Sequence, residues 1–130
     1  MATVSYTATN AVGGVKLIAW TPMVSANLDG YPFVCAQYAD KAVQVYGSFG
    51  GASVTFQGSN DYSNGSETWA TLHDPQGNAA TLASAGVLQL LENTYKVRPL
   101  VSGATGGTSL TIVLAASTPT ANSDFIPNSP

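Results

Sequence analysis

Short runs in which apolar and polar residues alternate with a period of two fill most of the chain, broken by glycine, proline and aspartate. Val15 to Trp20 reads as a first strand, ended by Thr21-Pro22. Asn27-Leu28-Asp29-Gly30-Tyr31-Pro32 carries a strong turn signal, because Asp-Gly accepts positive φ and each proline stops pairing. From Lys41 to Ser48 the alternation puts Ala42, Gln44 and Tyr46 on one side and Val43 and Val45 on the other. Gly47 and Gly50-Gly51 break the chain before a strand at 52–57. Trp69–His73 and Ala79–Leu82 flank Asp74-Pro75-Gln76-Gly77-Asn78 and read as a hairpin around a loop of turn formers. Ser84 to Glu92 could form a turn or two of helix, but Ala85-Gly86 at its start and Asn93 at its end favour an irregular or strand-like segment. Tyr95–Val101 is a strand whose Pro99 implies an edge position or a bulge. After the flexible turn at 102–107, Ser109–Ala115 is a last strand with Leu110, Ile112 and Leu114 facing one way.

About seven or eight short strands with almost no helix predict an all-β fold, an antiparallel β-sandwich with extended arms at both ends. The expected division is an N-terminal arm at 1–13, a sandwich at 14–116 and an extended C-terminal tail at 117–130. In the first arm Val4 and Tyr6 alternate with Thr3, Ser5 and Thr7; in the tail the apolar pair Phe125-Ile126 has nothing local to pack on. Ordering such arms costs about 1–2 kcal/mol per residue in backbone entropy, which a partner surface would offset.

Composition sharpens this picture. Only 8% of the residues are charged, where an average soluble domain has about 25%. Neutral hydroxyls and amides cost far less to bury than ions, so such a surface suits a subunit of an assembly. The net charge is −3, and the four basic residues, Lys16, Lys41, Lys96 and Arg98, form no cluster; nucleic acid is not an expected partner. No apolar stretch is long enough for a membrane-spanning helix, and the first residues lack the pattern of a secretory leader, so neither membrane insertion nor export by the general secretory route is expected. Cys35, between Val34 and Ala36, is the only cysteine and reads as a small buried apolar residue, the alternative being a reactive thiol.

Candidate chemistry is sparse. His73-Asp74 has a catalytic look, but no nucleophile elbow accompanies it, and a structural or solvated histidine is the simpler reading. The seven carboxylates (Asp29, Asp40, Asp61, Glu67, Asp74, Glu92, Asp124) are scattered and mostly in turns. Asp61 to Glu67 is rich in oxygen but lacks the carboxylate spacing of a calcium loop; it reads as an ordinary turn with Asn64-Gly65 at its tip. Trp69 and Tyr62 could stack on a sugar, although a strand tryptophan in a sandwich more often belongs to the core. Gly103 to Gly107 is not followed by the Lys and Ser/Thr of a phosphate loop. No enzyme, cofactor or metal is expected.

Val54–Asp61, Trp69-Ala70-Thr71-Leu72-His73-Asp74, Tyr95-Lys96-Val97-Arg98-Pro99-Leu100 and Ser109-Leu110-Thr111-Ile112 together resemble the layout of discoidin-like jelly rolls. They also resemble jelly-roll cement or decoration proteins of tailed bacteriophages, which clamp the outside of capsids. The likeness spans roughly residues 40–115 and rests on structural motifs. It implies a virion protein on the capsid exterior, made in the host cytoplasm, bound to the major capsid protein and to copies of itself as a dimer or trimer. Val4, Tyr6, Phe125 and Ile126 would be the gripping residues. The alternative is a carbohydrate-binding or host-recognition module of a tail fibre or spike, using Asp61, Tyr62, Asn64, Trp69 and His73. A tail-tube or head–tail connector subunit would share the fold class.

Overall fold

The period-two pattern becomes strand almost everywhere in the computed structural model, which describes residues 2–24 and 28–117. In chain order the strands are β1 (Ala2–Val4), β2 (Tyr6–Asn10), β3 (Val15–Val24), β4 (Leu28–Gly30), β5 (Phe33–Val34) and β6 (Asp40–Ser48). They continue with β7 (Ser53–Ser59), β8 (Ala70–Thr71), β9 (Thr81–Leu82), β10 (Gly86–Leu90), β11 (Lys96–Ser102) and β12 (Ser109–Ser117). The one helical element among the described residues is a 3₁₀ turn at Val12–Gly14. One sheet has the order β1-β4-β11-β7-β8, with β5 also on β11 and β9 also on β7; the other runs β10-β6-β12-β3-β2. Their inner faces meet in a single core that includes Ile18, Trp20, Val43, Val45, Val54, Phe56, Val97, Val101, Ile112 and Leu114. This is the all-β sandwich the alternation predicts, and Ser84–Glu92 contains a strand rather than a helix.

Four details differ from the expectation, each for a local reason. Residues 2–10 are extended but are not a free arm. β1 lies parallel to β4 in one sheet and β2 antiparallel to β3 in the other, so the chain closes one side of the sandwich by switching sheets at Ser5. β3 runs on through Pro22: between the pairs Trp20↔Ile112 and Met23↔Leu110, β3 has two residues where β12 has one, and the proline occupies that bulge. β11 is central, not an edge. Pro99 lies opposite Phe56, whose N–H and carbonyl bond to Ala80 and Leu72, so Pro99 turns its backbone away from β7. On its other side β5 pairs only Lys96 and Val97 and β4 only Leu100 and Val101, which leaves a gap where no donor is needed. The ring of Pro99 fills that gap against Gly30, where a Cβ would come within 2.5 Å of Pro99 Cδ and 2.6 Å of Trp20 Nε1. Finally, β8 and β9 do not form a simple two-stranded hairpin. They lie end to end along β7, and the loop between them is pinched by the His73↔Ala79 bridge.

The two outer faces differ in kind. On the five-stranded sheet, Thr7, Ala19, Val113, Gln44 and Val87 form one cross-strand row, and Thr9, Leu17, Ala115, Ala42 and Gln89 the next. Among the described strand residues of this face the one charge is Asp40, at its end. The outer face of the seven-stranded sheet carries Asp29, Lys96 and Arg98 instead, overlaid by the 60–69 loop.

Candidate functional site: a charged groove on the seven-stranded sheet

Lys96 points outward from β11, yet it is only 4% exposed, because the loop from Asn60 to Trp69 folds over it. Its ammonium donates to the Ser63 carbonyl at 2.7 Å, to Glu67 Oε2 at 2.6 Å and, more weakly, to Asn64 Oδ1 at 3.5 Å. Asp61 braces the loop from below. Oδ1 accepts from the backbone N–H and hydroxyl of Ser63 at 3.0 and 2.8 Å, and Oδ2 accepts from Thr68 N–H at 3.3 Å. Gly65 supplies the tip, at φ 94°, and its N–H donates to Glu67 Oε1 at 3.0 Å. The stretch that reads as an ordinary turn is therefore a loop built around an internal ammonium. The Ser63 backbone N–H, then the Ser63 hydroxyl, hold the Asp61 carboxyl below its ordinary value. The hydrogen bond from Lys96 does the same for Glu67, against the opposing effect of burial.

Two residues along β11, Arg98 donates through Nη1 to Asp29 Oδ2 at 2.8 Å and through Nε to Gln57 Oε1 at 2.9 Å. Its guanidinium lies 4.3 Å from the centroid of the Trp69 ring. Thr3, from β1, donates to the other oxygen of Asp29 at 2.8 Å. Between these pairs and the β4–β5 turn lies a depression of about 390 Å³, lined by Thr3, Tyr6, Asp29, Tyr31, Asn64, Glu67, Trp69, Lys96 and Arg98 among others. In a chain so poor in charge, four charged side chains thus converge on one groove.

Of the residues named for a sugar-binding surface, Asn64 and Trp69 line the groove and Asp61 shapes its wall. Trp69 is partly exposed on the outer face; the core tryptophan is Trp20, which is fully buried. Tyr62, 79% exposed, packs its ring 5.7 Å from Tyr95 and is not in the lining. His73 is elsewhere: its Nδ1 lies 2.6 Å from Glu92 Oε2, and its backbone N–H donates to Glu92 Oε1 at 2.8 Å. Burial raises the Glu92 carboxyl, but these bonds from His73 outweigh it and leave the group below its ordinary value. Asp74 does not join His73; Oδ1 accepts the N–H groups of Gln76 and Asn78 at 3.0 and 2.9 Å, which closes the loop. Val4 and Tyr6 pack against the core, Tyr6 edge-on to Trp20 at 5.9 Å and to Phe33 at 5.7 Å. Phe125 and Ile126 lie outside the described residues.

Sequence reading missed Asp29, Tyr31, Glu67, Lys96 and Arg98 as parts of one site. The available signal was β11 itself, where Lys96 and Arg98 occupy alternate positions on one face of a strand in a chain with only four basic residues.

A second polar cluster lies inside the sandwich. Lys41 is 1% exposed and donates to the Tyr38 carbonyl at 3.0 Å and to Asn93 Oδ1 at 2.8 Å; burial lowers its pKa, opposed by nearby Cys35 and Asp40. Cys35, also 1% exposed, directs its thiol to the Thr94 carbonyl at 3.2 Å, and burial pushes it up to about 11 against the pull of Lys41. This is the buried cysteine expected from its neighbours. A thiol reagent applied near neutral pH should find no reactive group in the native protein and one equivalent after denaturation. Native-state labelling within minutes would show instead that this end of the sandwich opens.

No protein-family model matches the sequence, and no curated protein matches it. Among solved structures the chain is similar to the SPBc2 prophage-derived protein YomS, with a TM-score of 0.58 at 14% identity over 85% of this chain and 100% of that one. Looser likenesses include IMPa from Pseudomonas aeruginosa in complex with an O-glycopeptide (TM-score 0.45, 15% identity, 82% of this chain, 13% of that one). Another is a cupin domain from Bordetella pertussis Tohama I (TM-score 0.41, 10% identity, 87% and 90%). The chain therefore shares its sandwich fold with a prophage-derived protein.

Proposed function

We propose that the protein is a structural component of a tailed-phage particle that sits on the capsid exterior and cements neighbouring shell subunits. The observation that carries this reading is the neutral outer face of the five-stranded sheet, with Ala, Val, Leu, Thr and Gln in its rows. Five strands spaced at about 4.8 Å and averaging about eight residues present a face of roughly 600 Å², near the roughly 800 Å² that each partner buries in a standard interface. Covering that face desolvates hydroxyls and amides but almost no ions, which keeps the cost low. Many weak contacts repeated over a symmetric shell then add through avidity. The prophage origin of a protein with the same fold supports the setting. The reading assigns no catalysis and no cofactor, a dimer or trimer as the working unit, the major capsid protein as partner, and synthesis in the host cytoplasm. Gripping by Phe125 and Ile126 belongs to the same proposal; Val4 and Tyr6 drop out of it, because the domain itself uses them.

The test is occupancy on purified heads. Gln44→Glu combined with Val87→Glu places charge on two exposed positions of the neutral face. Occupancy should fall at least about tenfold while the melting temperature holds. Deleting residues 118–130 should also weaken attachment and leave the domain folded. Full occupancy of the charged variant, or a wild-type protein that travels with tails or with neither fraction, would overturn the proposal.

A further inference from the structure

We infer that the groove on the seven-stranded sheet binds an uncharged, polyhydroxylated ligand, a short neutral oligosaccharide. This stands apart from the cement reading, since it uses the opposite face. The groove contains two cations and two carboxylates, each already closed on a partner: Lys96 on Glu67 and Arg98 on Asp29. The Lys96–Glu67 side chains are each 5% exposed. A charged ligand could reach Lys96 or Glu67 only by breaking that desolvated pair and stranding its partner, which is costly. Vicinal hydroxyls carry no such penalty, because each can both donate and accept without displacing an ion.

Unused hydrogen-bonding capacity is present. Among the described residues Nη2 of Arg98, the indole N–H of Trp69 and the hydroxyl of Tyr31 have no hydrogen-bond partner, and all three residues line the groove. Tyr31 also offers an aromatic surface; it is 55% exposed, held by its backbone N–H to Val4 and by its carbonyl to the Trp20 indole. Apolar C–H faces of a sugar ring suit such a surface, as its hydroxyls suit the polar edge. The ion pairs and the Arg98–Trp69 contact fix the side chains in advance, so little rotamer entropy is lost on binding. The volume of about 390 Å³ falls within the range of small-ligand sites.

The experiment uses the full chain against immobilised neutral oligosaccharides and matched sets carrying uronate or sialate carboxylates. Neutral members should bind and change the fluorescence of Trp69; Trp69→Phe should remove that signal, because Trp20 is fully buried. Tyr31→Ala should weaken binding about tenfold with an unchanged melting temperature, since its backbone contacts persist. Arg98→Lys should weaken it too, by deleting the unpaired Nη2. Absence of binding to every neutral oligosaccharide, preference for the acidic sets, or full affinity in Tyr31→Ala would each overturn the inference.

Discussion

Replacing Lys96 by methionine should cost about 3–5 kcal/mol of stability, the usual result of removing one partner of a buried ion pair. For a chain of this size that is a fall in melting temperature of roughly 10–25 °C. The loss has two parts. Glu67 would remain 95% covered with no cation, and the Ser63 carbonyl would lose its 2.7 Å donor, so the loop over β11 loses its centre. Hydrogen exchange should show residues 61–68 losing protection first. Adding Glu67→Gln should recover part of the loss, because the stranded charge disappears. A cost below about 1 kcal/mol would show that the ammonium is incidental to the loop.

Acidification gives the same prediction an independent sign. In the wild type, Glu67 is held below its ordinary 4.5, first by the hydrogen bond from Lys96, and Asp61 below its ordinary 3.8, first by the Ser63 N–H. A carboxyl whose folded value is depressed contributes stability that is complete above its unfolded value. That contribution is lost as pH falls through the folded one. Wild-type stability should therefore decline on acidification below about pH 4.5. In Lys96→Met, Glu67 loses the bond that holds it low and keeps the burial that raises it, so the same acidification should cost the variant less and narrow the gap between the two proteins. Parallel pH profiles would count against the pairing.

Trp20→Ala should be comparably severe, at about 3–5 kcal/mol. Trp20 is fully buried, stands edge-on to Tyr6, and donates its indole N–H to the Tyr31 carbonyl at 3.1 Å. Truncation leaves a cavity between the sheets and removes the donor that positions Tyr31. Gly30 is shaped around this indole, so the small residue at β4 and the large one at β3 form one fit. Trp20→Phe should be milder, since a ring still fills most of the space, although the Tyr31 carbonyl stays unpaired. Chemical denaturation measures both. The groove gives a second readout, because weaker ligand binding should accompany the loss at Tyr31 even where the variant remains folded. A truncation cost under about 1 kcal/mol would mean that the core closes over the gap.

Both variants act on contacts that local sequence pattern does not reveal. The alternation of Val43, Val45, Leu110, Ile112 and Leu114 identified inward-facing positions without knowledge of any partner strand. Pro99 marks where such local pattern stops. A proline in a strand signals that one backbone donor has no use, but only the placement of β4 and β5 shows that a central strand can satisfy that condition through a gap. His73 illustrates the same limit: its neighbour in sequence is Asp74, while its partner in space is Glu92.

What the chain determined by itself is the fold class, the inward sets of β6 and β12, the buried character of Cys35 and the small number of charges available for any site. These follow from period-two geometry and composition, which are local properties. Only the tertiary structure decided that residues 2–10 belong to the sandwich, that Asp29, Glu67, Lys96 and Arg98 meet in one groove, and that the opposite face is neutral. Sheet order and loop cover bring together residues 69 positions apart in the Arg98–Asp29 pair. Charges paired over such distances become neighbours through long-range strand pairing, which no short window of sequence encodes.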